Sequence, residues 1–315
     1  ENVEAKMVYA CSDMAVASVD VDGIITPISM GKAEIRVSAE YNGQTAEKKI
    51  AVTVYPNVDI VFDKKAVDLF LASDNSMKVS ANVYKMPENA LIDNAAIEWK
   101  CADEQIAKVA KDGTIQGKTF GKTNVKAEYK GYEAKISVNV YEEKIEVSDV
   151  SQFLQQKTGV YYSIIEDIAY DFTKDCNFSN GEQRSSIIDQ LHATINGNGH
   201  SITLSYVDEE LVYSVHEYRL NFIREVCEDG VVKNLKINYT ATPQHNISYA
   251  SFAFDKVEGV VENVVWNIYY NSFYVMPGKS IFYLAGAGSG MIKNSVVYIS
   301  GTGWQAVLGK ESSER

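Results

Sequence analysis

Hydrophobic and polar residues alternate over short stretches in the first 141 residues of the chain. Two clear examples are 34–39 (EIRVSA) and 49–54 (KIAVTV), in which every second side chain is apolar. Asp-Gly, Met-Gly and Asn-Gly pairs separate such stretches, and these pairs are typical of tight turns between antiparallel strands. The pattern therefore predicts antiparallel hairpins arranged in β-sandwiches.

Two segments of this part of the chain repeat each other. Residues 11–31 read CSDMAVASVDVDGIITPISMG and residues 101–121 read CADEQIAKVAKDGTIQGKTFG, so a shift of 90 superposes a Cys, an Asp, an Asp-Gly pair and a Gly. After two small deletions, the ending VTVY (52–55) also matches VNVY (138–141). A period of this length indicates tandem domains, which we place at 1–55 and 56–142.

The second copy resembles the bacterial immunoglobulin-like group 2 family. The residues that carry this resemblance are Trp99, a Cys-x-Asp turn, the stretch IAKV (106–109), the Asp-Gly turn at 112–113, and Gly121. The first copy departs from the family pattern, because Tyr9 stands where a Trp is expected. The resemblance implies immunoglobulin-like sandwiches that serve as extracellular spacers or adhesion modules rather than as catalysts.

The two copies differ in what precedes the shared block. The second copy has two strand-like stretches ahead of it, 58–62 and 77–84, whereas the first copy has only the few residues before Tyr9. A sandwich without its opening strands exposes a sheet edge and part of its core. We therefore expect the first sandwich to be incomplete within this chain, with its open edge covered by another segment or chain. The numbering is then expected to start inside a larger protein, whose other domains are partners.

Residues 143–315 follow a different pattern. Three similar units lie at 222–239, 252–270 and 281–300, each with a short apolar strand, a Gly-containing turn and an alternating strand. The asparagines of these units, Asn234, Asn263 and Asn294, are 29 and 31 residues apart. This spacing predicts a solenoid in which each unit forms one coil.

This region resembles a right-handed parallel β-helix, as in pectate-lyase-like folds and many surface proteins. The stretch 147–157 (VSDVSQFLQQK) has the apolar spacing of a helix and resembles the N-terminal cap of such folds. The Asn-Gly-Asn-Gly-His turn at 196–200 resembles the turn that begins the coils, and the recurring asparagines are expected to form a ladder. Residues 305–309 resemble the first half of another coil, so we expect the β-helix to be truncated at its C-terminal end.

Composition and charge limit the classes of partner that the chain is expected to bind. A net charge of -12 disfavours nucleic acid and anionic lipid, which need clustered Lys and Arg. No window of 18 apolar residues is present, so no membrane insertion is expected in this segment. The four histidines are scattered and no Cys-x-x-Cys occurs, so we expect no metal and no cofactor. Cys11 and Cys101 are predicted to be packed free thiols, whereas pairing of Cys176 with Cys227 is left open.

Four carboxylates near the first coil are the candidates for catalysis: Glu166, Asp167, Asp171 and Asp175. Paired carboxylates can act as general acid and base on a polysaccharide. The alternative is a solvated acidic loop, which we favour because charged side chains are usually exposed. No catalytic residue is therefore assigned, and Asp167, Asp171 and Asp175 remain weak candidates.

Tyrosines crowd the middle coils. About half of the side chains in an alternating strand point outward, and an exposed Tyr ring can stack on a sugar or anchor a protein partner. The predicted ligand-binding residues are Tyr239, Tyr269, Tyr270 and Tyr274. The alternative is that these rings pack between the coils and their loops.

Two functions remain open from the sequence. The first is a non-enzymatic extracellular structural or adhesion protein, in which the sandwiches are spacers and the β-helix presents a binding face to a glycan or a surface protein. The second is a polysaccharide lyase or glycoside hydrolase with a catalytic β-helix and accessory sandwiches. No basic residue recurs beside a carboxylate pair on the coils, which favours the first. The expected location is the bacterial cell surface, with a phage virion as the alternative.

Overall fold

The structure is a computed structural model that describes residues 6–55, 57–153, 157–174, 182–207, 217–242, 250–271, 281–302 and 305–309. Within these ranges the regular structure consists of β-strands and two short 3-10 turns, and no α-helix is present. The predicted all-β class is therefore confirmed.

The first repeat contains five strands. They are β1 (Lys6–Cys11), β2 (Ala17–Val19), β3 (Ile25–Pro27), β4 (Gly31–Tyr41) and β5 (Gln44–Val54). The order β1-β4-β5 forms an antiparallel sheet, and β2 pairs with β3. The alternating stretches that predicted hairpins are β4 and β5, which are joined by a tight turn at Asn42-Gly43.

The second repeat contains ten strands. They are β6 (Val58–Phe62), β7 (Ala66–Phe70), β8 (Ser76–Lys78), β9 (Ala81–Lys85), β10 (Ala90–Leu91), β11 (Glu98–Cys101), β12 (Ala107–Val109), β13 (Thr114–Gly117), β14 (Gly121–Tyr129) and β15 (Tyr132–Tyr141). These strands form three sheets with the orders β10-β9-β6, β11-β14-β15-β7 and β12-β13-β8.

The two repeats share their turn geometry. In each one the cysteine thiol donates a hydrogen bond to the backbone carbonyl of the aspartate two residues later, at 3.3 Å from Cys11 to Asp13 and from Cys101 to Asp103. Both aspartates accept a backbone N–H in turn, from Ala15 at 2.9 Å and from Gln105 at 2.8 Å. The sequence repeat therefore reflects a repeated local structure, and both thiols are free as predicted.

The Asp-Gly turns bring a glycine against an aromatic ring in each repeat. Gly113 has a φ of 83°, and a Cβ there would lie 2.3 Å from the Val79 carbonyl oxygen and 3.0 Å from the Trp99 ring. Gly23 has a φ of 82° and lies against Tyr9 in the same way. Tyr9 thus takes the place of the tryptophan. The sequence predicts Trp99 as a buried core residue of this sandwich; the structure shows it half-buried and packed against the core of the repeat, with β11 at the edge of its sheet.

The remaining strands are parallel. They are β16 (Glu143–Val147), β17 (Val160–Ile164), β18 (Ile168–Asp171), β19 (Glu182–Leu191), β20 (Thr194–Asn196), β21 (Ser201–Val207), β22 (Glu217–Val226), β23 (Val231–Thr242), β24 (Ala250–Val257), β25 (Val260–Asn271), β26 (Ile281–Ala287), β27 (Met291–Lys293), β28 (Val296–Thr302) and β29 (Gln305–Gly309). One parallel sheet has the order β19-β22-β24-β26-β29, and a nine-stranded sheet contains the others. The chain passes from one sheet to the other and back within each unit.

The register of the nine-stranded sheet aligns equivalent residues of successive units. Ile202 pairs with Ile237, which pairs with Trp266, which pairs with Val297. The first three of these side chains are buried, and Val297 packs against the same core. Equivalent residues of successive units therefore point into one core. The Trp266 ring meets Phe254 edge-on at 5.6 Å between centroids.

Asparagines form a ladder where the strands bend. Asn234 donates its amide hydrogen to the Asn196 side-chain oxygen at 3.0 Å, and Asn263 donates to Asn234 at 3.1 Å. Asn234, Asn263 and Asn294 have φ values of 53°, 54° and 49°. Asn tolerates this left-handed conformation better than other residues with a side chain. The recurring asparagine is thus needed both for the corner and for the ladder.

The predicted cap helix over 147–157 is wrong for the residues that the structure describes. Val147 ends strand β16, and Val150–Phe153 forms a single 3-10 turn. The Gln152 side chain accepts the backbone N–H groups of Ser148 and Asp149 at 2.8 and 2.9 Å. These contacts fix a tight turn that buries Phe153 in the core, and the apolar spacing reflects that burial.

The chain forms two compact units. One comprises residues 1–67, 77–116 and 123–138, and the other comprises 68–76, 117–122 and 139–315. The second unit therefore includes part of β7 and the end of β15 together with the parallel strands. The domain limits predicted at 55/56 and 142/143 stay predictions.

A polar and aromatic cluster within the second unit joins β7 and β15 to the parallel strands. The Lys233 ammonium lies 3.1 Å from the Asp68 carboxylate and 5.2 Å from the centroid of the Tyr161 ring. Asn139 donates to the other Asp68 oxygen at 2.8 Å. The Tyr141 and Tyr161 rings meet edge-on at 5.0 Å. We call these five residues the junction cluster.

We predict that Asn234→Ala lowers the free energy of unfolding by about 3 kcal/mol. The variant loses two ladder hydrogen bonds of about 1 kcal/mol each and places a Cβ-bearing residue without a local side-chain bond at a left-handed corner, at a cost of about 1 kcal/mol. Asn234→Gly keeps the corner and is expected to lose about 1 kcal/mol less. Urea-induced unfolding measures both values.

The control for this prediction is Asn42→Ala. Asn42 has a φ of 49° in the hairpin between β4 and β5, so this variant isolates the backbone cost. Equal stability of the Asn234→Gly variant and the unmodified chain would show that the ladder contributes nothing.

Candidate binding face

The outward side of the nine-stranded sheet carries two rows of small polar and aromatic side chains. The register aligns them across β18, β21, β23, β25 and β28. One row is Ala169, Thr203, Asn238, Asn267 and Tyr298, and the other is Asp171, Ser205, Thr240, Tyr269 and Ser300. We call these ten residues the hydroxyl–amide face.

Two tyrosines of this face are exposed to solvent. Tyr269 is 44% exposed and Tyr298 is 61% exposed. They lie on adjacent strands and are offset by two residues, because Tyr298 pairs with Asn267. Strand spacing and residue rise place their Cα atoms about 8 Å apart. The two rings can therefore contact one extended ligand at neighbouring points.

Amide side chains beside these rings are held in a fixed orientation. Asn267 donates to the Asn238 side-chain oxygen at 2.8 Å, and Asn238 donates to the Thr203 hydroxyl at 3.3 Å. This is a second ladder, separate from the one at the strand corners. A preorganised row of amides and hydroxyls next to aromatic rings is suited to hydrogen-bond a polyhydroxylated ligand.

The hydroxyl–amide face carries little charge. Asp171 is its one ionisable carboxylate, and it lies at the β18 end of its row. The Asp171 carboxylate accepts the backbone N–H of Thr173 at 3.0 Å, which stabilises the 3-10 turn that follows β18. The rest of the face is neutral on a chain whose net charge is -12.

The predicted binding tyrosines are placed differently by the structure. Tyr239 is 1% exposed, so its selection as a ligand-stacking residue is wrong. It follows Ile237 at a spacing of two, and the same alternation that turns Ile237 inward also turns Tyr239 inward. Tyr269 is exposed, and its role in binding stays a prediction. The Tyr270 side chain and the whole of Tyr274 lie outside the described residues.

Sequence reasoning missed Tyr298. Tyr298 directly follows Val297, which corresponds to the inward Trp266 of the preceding unit, so the alternation of the strand places Tyr298 outward. The sequence thus contains the signal for its exposure.

The candidate catalytic carboxylates have structural partners instead of a shared site. Asp167 accepts the backbone N–H of Ser201 at 2.7 Å and lies 3.7 Å from the His200 ring. The Ser201 N–H, followed by its hydroxyl, holds the pKa of Asp167 below its usual value. Asp167 and Asp171 bracket the four-residue strand β18, so their Cα atoms are about 13 Å apart. Each of these two carboxylates accepts a backbone N–H, from Ser201 and from Thr173, and Asp175 lies outside the described residues.

An open groove on the other parallel sheet contains ionisable groups that pair with each other. It is lined by Gln190, His192, Glu225, Cys227, Glu228, Asp229, Lys256 and Glu258. His192 contacts Asp229 at 2.9 Å, Gln190 donates to Glu225 at 3.0 Å, and Lys256 pairs with Glu258 at 2.6 Å. The first two contacts connect β19, or the residue after it, with β22 or the turn after it, whereas Lys256 and Glu258 both lie at the end of β24.

The Cys227 thiol in this groove is not activated. Burial raises its pKa, and the charges of Asp229, Glu225 and Glu258 raise it further. A thiol held in its protonated form is a poor nucleophile. Cys227 is free, and Cys176 lies outside the described residues. The groove therefore offers no nucleophile for covalent catalysis at Cys227.

In the described part of the chain, no three His, Cys, Asp or Glu side chains are grouped closely enough to hold a metal ion. None of the helices among the described residues has the length and apolar character needed to span a membrane.

Comparison with known proteins gives weak structural similarity. No protein-family model matches the chain, and no curated protein sequence matches it. Domains 4 and 5 of the S-layer protein SbsC are 20% identical, with 43% of this chain and 70% of that chain covered and a TM-score of 0.23. The longer SbsC structure (31–844) is 24% identical over 43% of this chain at a TM-score of 0.22, and this chain covers 20% of it. Human protocadherin-24 EC1-2 is 13% identical, with 44% and 82% covered and a TM-score of 0.18. Similarities of this size do not define a function.

We predict that Asp167→Asn destabilises the chain at neutral pH and that this effect disappears in acid. The folded-state pKa of Asp167 is lowered by its Ser201 contacts, so the ionised carboxylate stabilises the fold above its unfolded pKa of about 3.8. The stabilisation is lost as the pH falls through the lower folded pKa. Urea-induced unfolding of both proteins between pH 7 and pH 2 measures the difference.

The matched control is Glu166→Gln, which removes an exposed neighbouring carboxylate. A catalytic role for Asp167 would give the opposite pattern: unchanged stability at neutral pH together with the loss of a polysaccharide-cleaving activity.

Proposed function

We propose that the chain is a non-enzymatic structural or adhesion protein that acts outside the cell and binds glycan through the hydroxyl–amide face. The observation that carries this proposal is the pair of exposed tyrosines, Tyr269 and Tyr298, beside an oriented row of amide and hydroxyl side chains. Sugar rings stack on aromatic side chains, while their hydroxyl groups pair with amides and hydroxyls.

We infer that residues 143–315 form a right-handed parallel β-helix. Two parallel sheets that the chain visits alternately support this inference, as do the aligned inward residues and the asparagine ladder. Crossover connections between parallel strands are right-handed in nearly all known cases. A solenoid of this kind offers a long face whose side chains repeat from coil to coil.

Residues 1–142 are proposed to act as immunoglobulin-like spacers. The junction cluster supports this role, because the Asp68–Lys233 ion pair and the edge-on Tyr141 and Tyr161 rings connect β7 and the end of β15 with the parallel strands of the same unit. The location that we propose is the bacterial cell surface, and a virion surface would use the same design.

The chemistry of the face also favours a ligand without strong charge. A neutral glycan leaves no charge to be desolvated on binding, whereas an acidic polysaccharide would be repelled by a chain with a net charge of -12. Each ring contact contributes about 1 kcal/mol. One face is therefore expected to bind weakly, and many copies on a surface would give useful avidity.

We predict that the purified chain binds neutral glycans on an array and that Tyr269→Ala combined with Tyr298→Ala weakens binding about 30-fold. The loss corresponds to about 2 kcal/mol for two ring contacts. Titration calorimetry with the best array ligand measures the change.

Tyr55→Ala serves as the matched control, because Tyr55 is an exposed tyrosine of the first repeat, far in sequence from the face. It should leave binding unchanged. Release of reducing or unsaturated ends from the bound polysaccharide would contradict the proposal and favour an enzyme. Unchanged binding by the double variant would show that the glycan lies elsewhere.

A further inference from the structure

Equivalent apolar residues are buried in the second repeat and exposed in the first. Ile25 is 38% exposed, whereas its counterpart Ile115 is fully buried; Ile50 is 43% exposed, whereas its counterpart Ile136 is 2% exposed. The inner residue Ala17 and its counterpart Ala107 are both fully buried. The two repeats therefore share the buried inner alanine, and they differ at these two isoleucine positions.

The second repeat has five strands, β6–β10, that have no counterpart in the described part of the first repeat, and two of them lie along the edges next to these residues. In the second repeat, β7 lies next to β15 and β8 lies next to β13. Strand β7 contributes Val67 and Leu69, and the residue after β8 is Val79, all of which are buried. In the described part of the first repeat, β5 has β4 as its one neighbour and β3 has β2 as its one neighbour. The edges equivalent to those covered by β7 and β8 are open.

The open edge of β5 is protected along only part of its length. Its first half carries Glu47 and Lys49, which form ion pairs with Arg36 at 3.3 Å and Glu34 at 3.0 Å on β4. Charged side chains of this kind discourage pairing with another strand. The second half, residues 50–54 (IAVTV), alternates apolar residues and has no charge. Its five residues equal the length of β7.

We propose that the edge formed by residues 50–54 of β5 accepts an extended polypeptide strand from outside the described residues. The strand carries apolar side chains at alternate positions, as Val67 and Leu69 do on β7. Its backbone satisfies the open N–H and C=O groups of β5, and its apolar side chains cover Ile50 and Ile25. The occupant is thus a β7-like strand and not a second copy of β5.

The test uses the full chain and a synthetic peptide with the sequence of residues 64–80, which spans β7 and β8. Hydrogen exchange followed by mass spectrometry reports on residues 44–54, with residues 132–141 as the internal reference, because β15 already has its β7 neighbour. At a peptide concentration of ten times its Kd, exchange of 44–54 is expected to slow about tenfold by mass action. The reference segment should not change.

Matched controls separate strand pairing from nonspecific contact. A peptide carrying Val67→Asp and Leu69→Asp should give no protection, and an Ile50→Asp chain should not respond to the unmodified peptide. Val21→Asp, at an exposed apolar residue in a turn, should respond like the unmodified chain. Absence of any protection at saturating peptide would overturn the proposal. Protection of 44–54 that increases with protein concentration alone would also overturn it, because the occupant would then be a second copy of the chain.

Discussion

The register of the parallel strands is the constraint on which the rest of the second unit depends. Because Ile202, Ile237 and Trp266 occupy one row, every second side chain of each strand enters a single core. The same register places the intervening side chains in rows on the solvent side. A shift by one residue would exchange the two sets, turning Trp266 outward and the amides of the hydroxyl–amide face into the core. The core and the candidate binding face are thus two consequences of one pairing.

The asparagine corners make this register possible. Strands β23 and β25 each bend within the nine-stranded sheet, and Asn234 and Asn263 supply the left-handed residue at equivalent places in these bends. Their side chains then bond to each other, so the corner of one coil positions the corner of the next. The Trp266 indole N–H has no hydrogen-bond partner among the described residues. Burying this N–H without a partner costs free energy, and the packing of the large Trp266 ring against Phe254 offsets that cost.

Sequence reasoning predicted the features that follow from periodicity. The repeated Cys-x-Asp turns, the inward residues of the coils and the asparagine ladder all recur at fixed spacing, and local chemistry explains each of them. It failed where tertiary surroundings decide. The apolar spacing near Phe153 fits a helix, but burial of that ring and the Gln152 contacts produce a 3-10 turn. Trp99 is half-buried because its strand, β11, lies at the edge of its sheet. No local sequence pattern indicates whether a strand lies at a sheet edge. The prediction that Tyr239 binds a ligand is wrong, although its spacing of two residues from the inward Ile237 indicates an inward side chain.

The carboxylates show how the fold turns apparent catalytic residues into structural ones. Asp167 and Asp171 lie at the two ends of β18, and each accepts a backbone N–H where a strand begins or a turn follows. A carboxylate that accepts a hydrogen bond from a backbone N–H has a lowered pKa, as Asp167 does. Such a group is ionised near neutral pH and is therefore a poor proton donor there. The exposed tyrosines have no comparable structural task. Nothing in the core requires an aromatic ring at 269 or 298, since the outward positions of the neighbouring strands hold Thr, Ser and Asn. The proposal that a ligand contacts this face rests on these aromatic rings, which lie in solvent among small polar side chains.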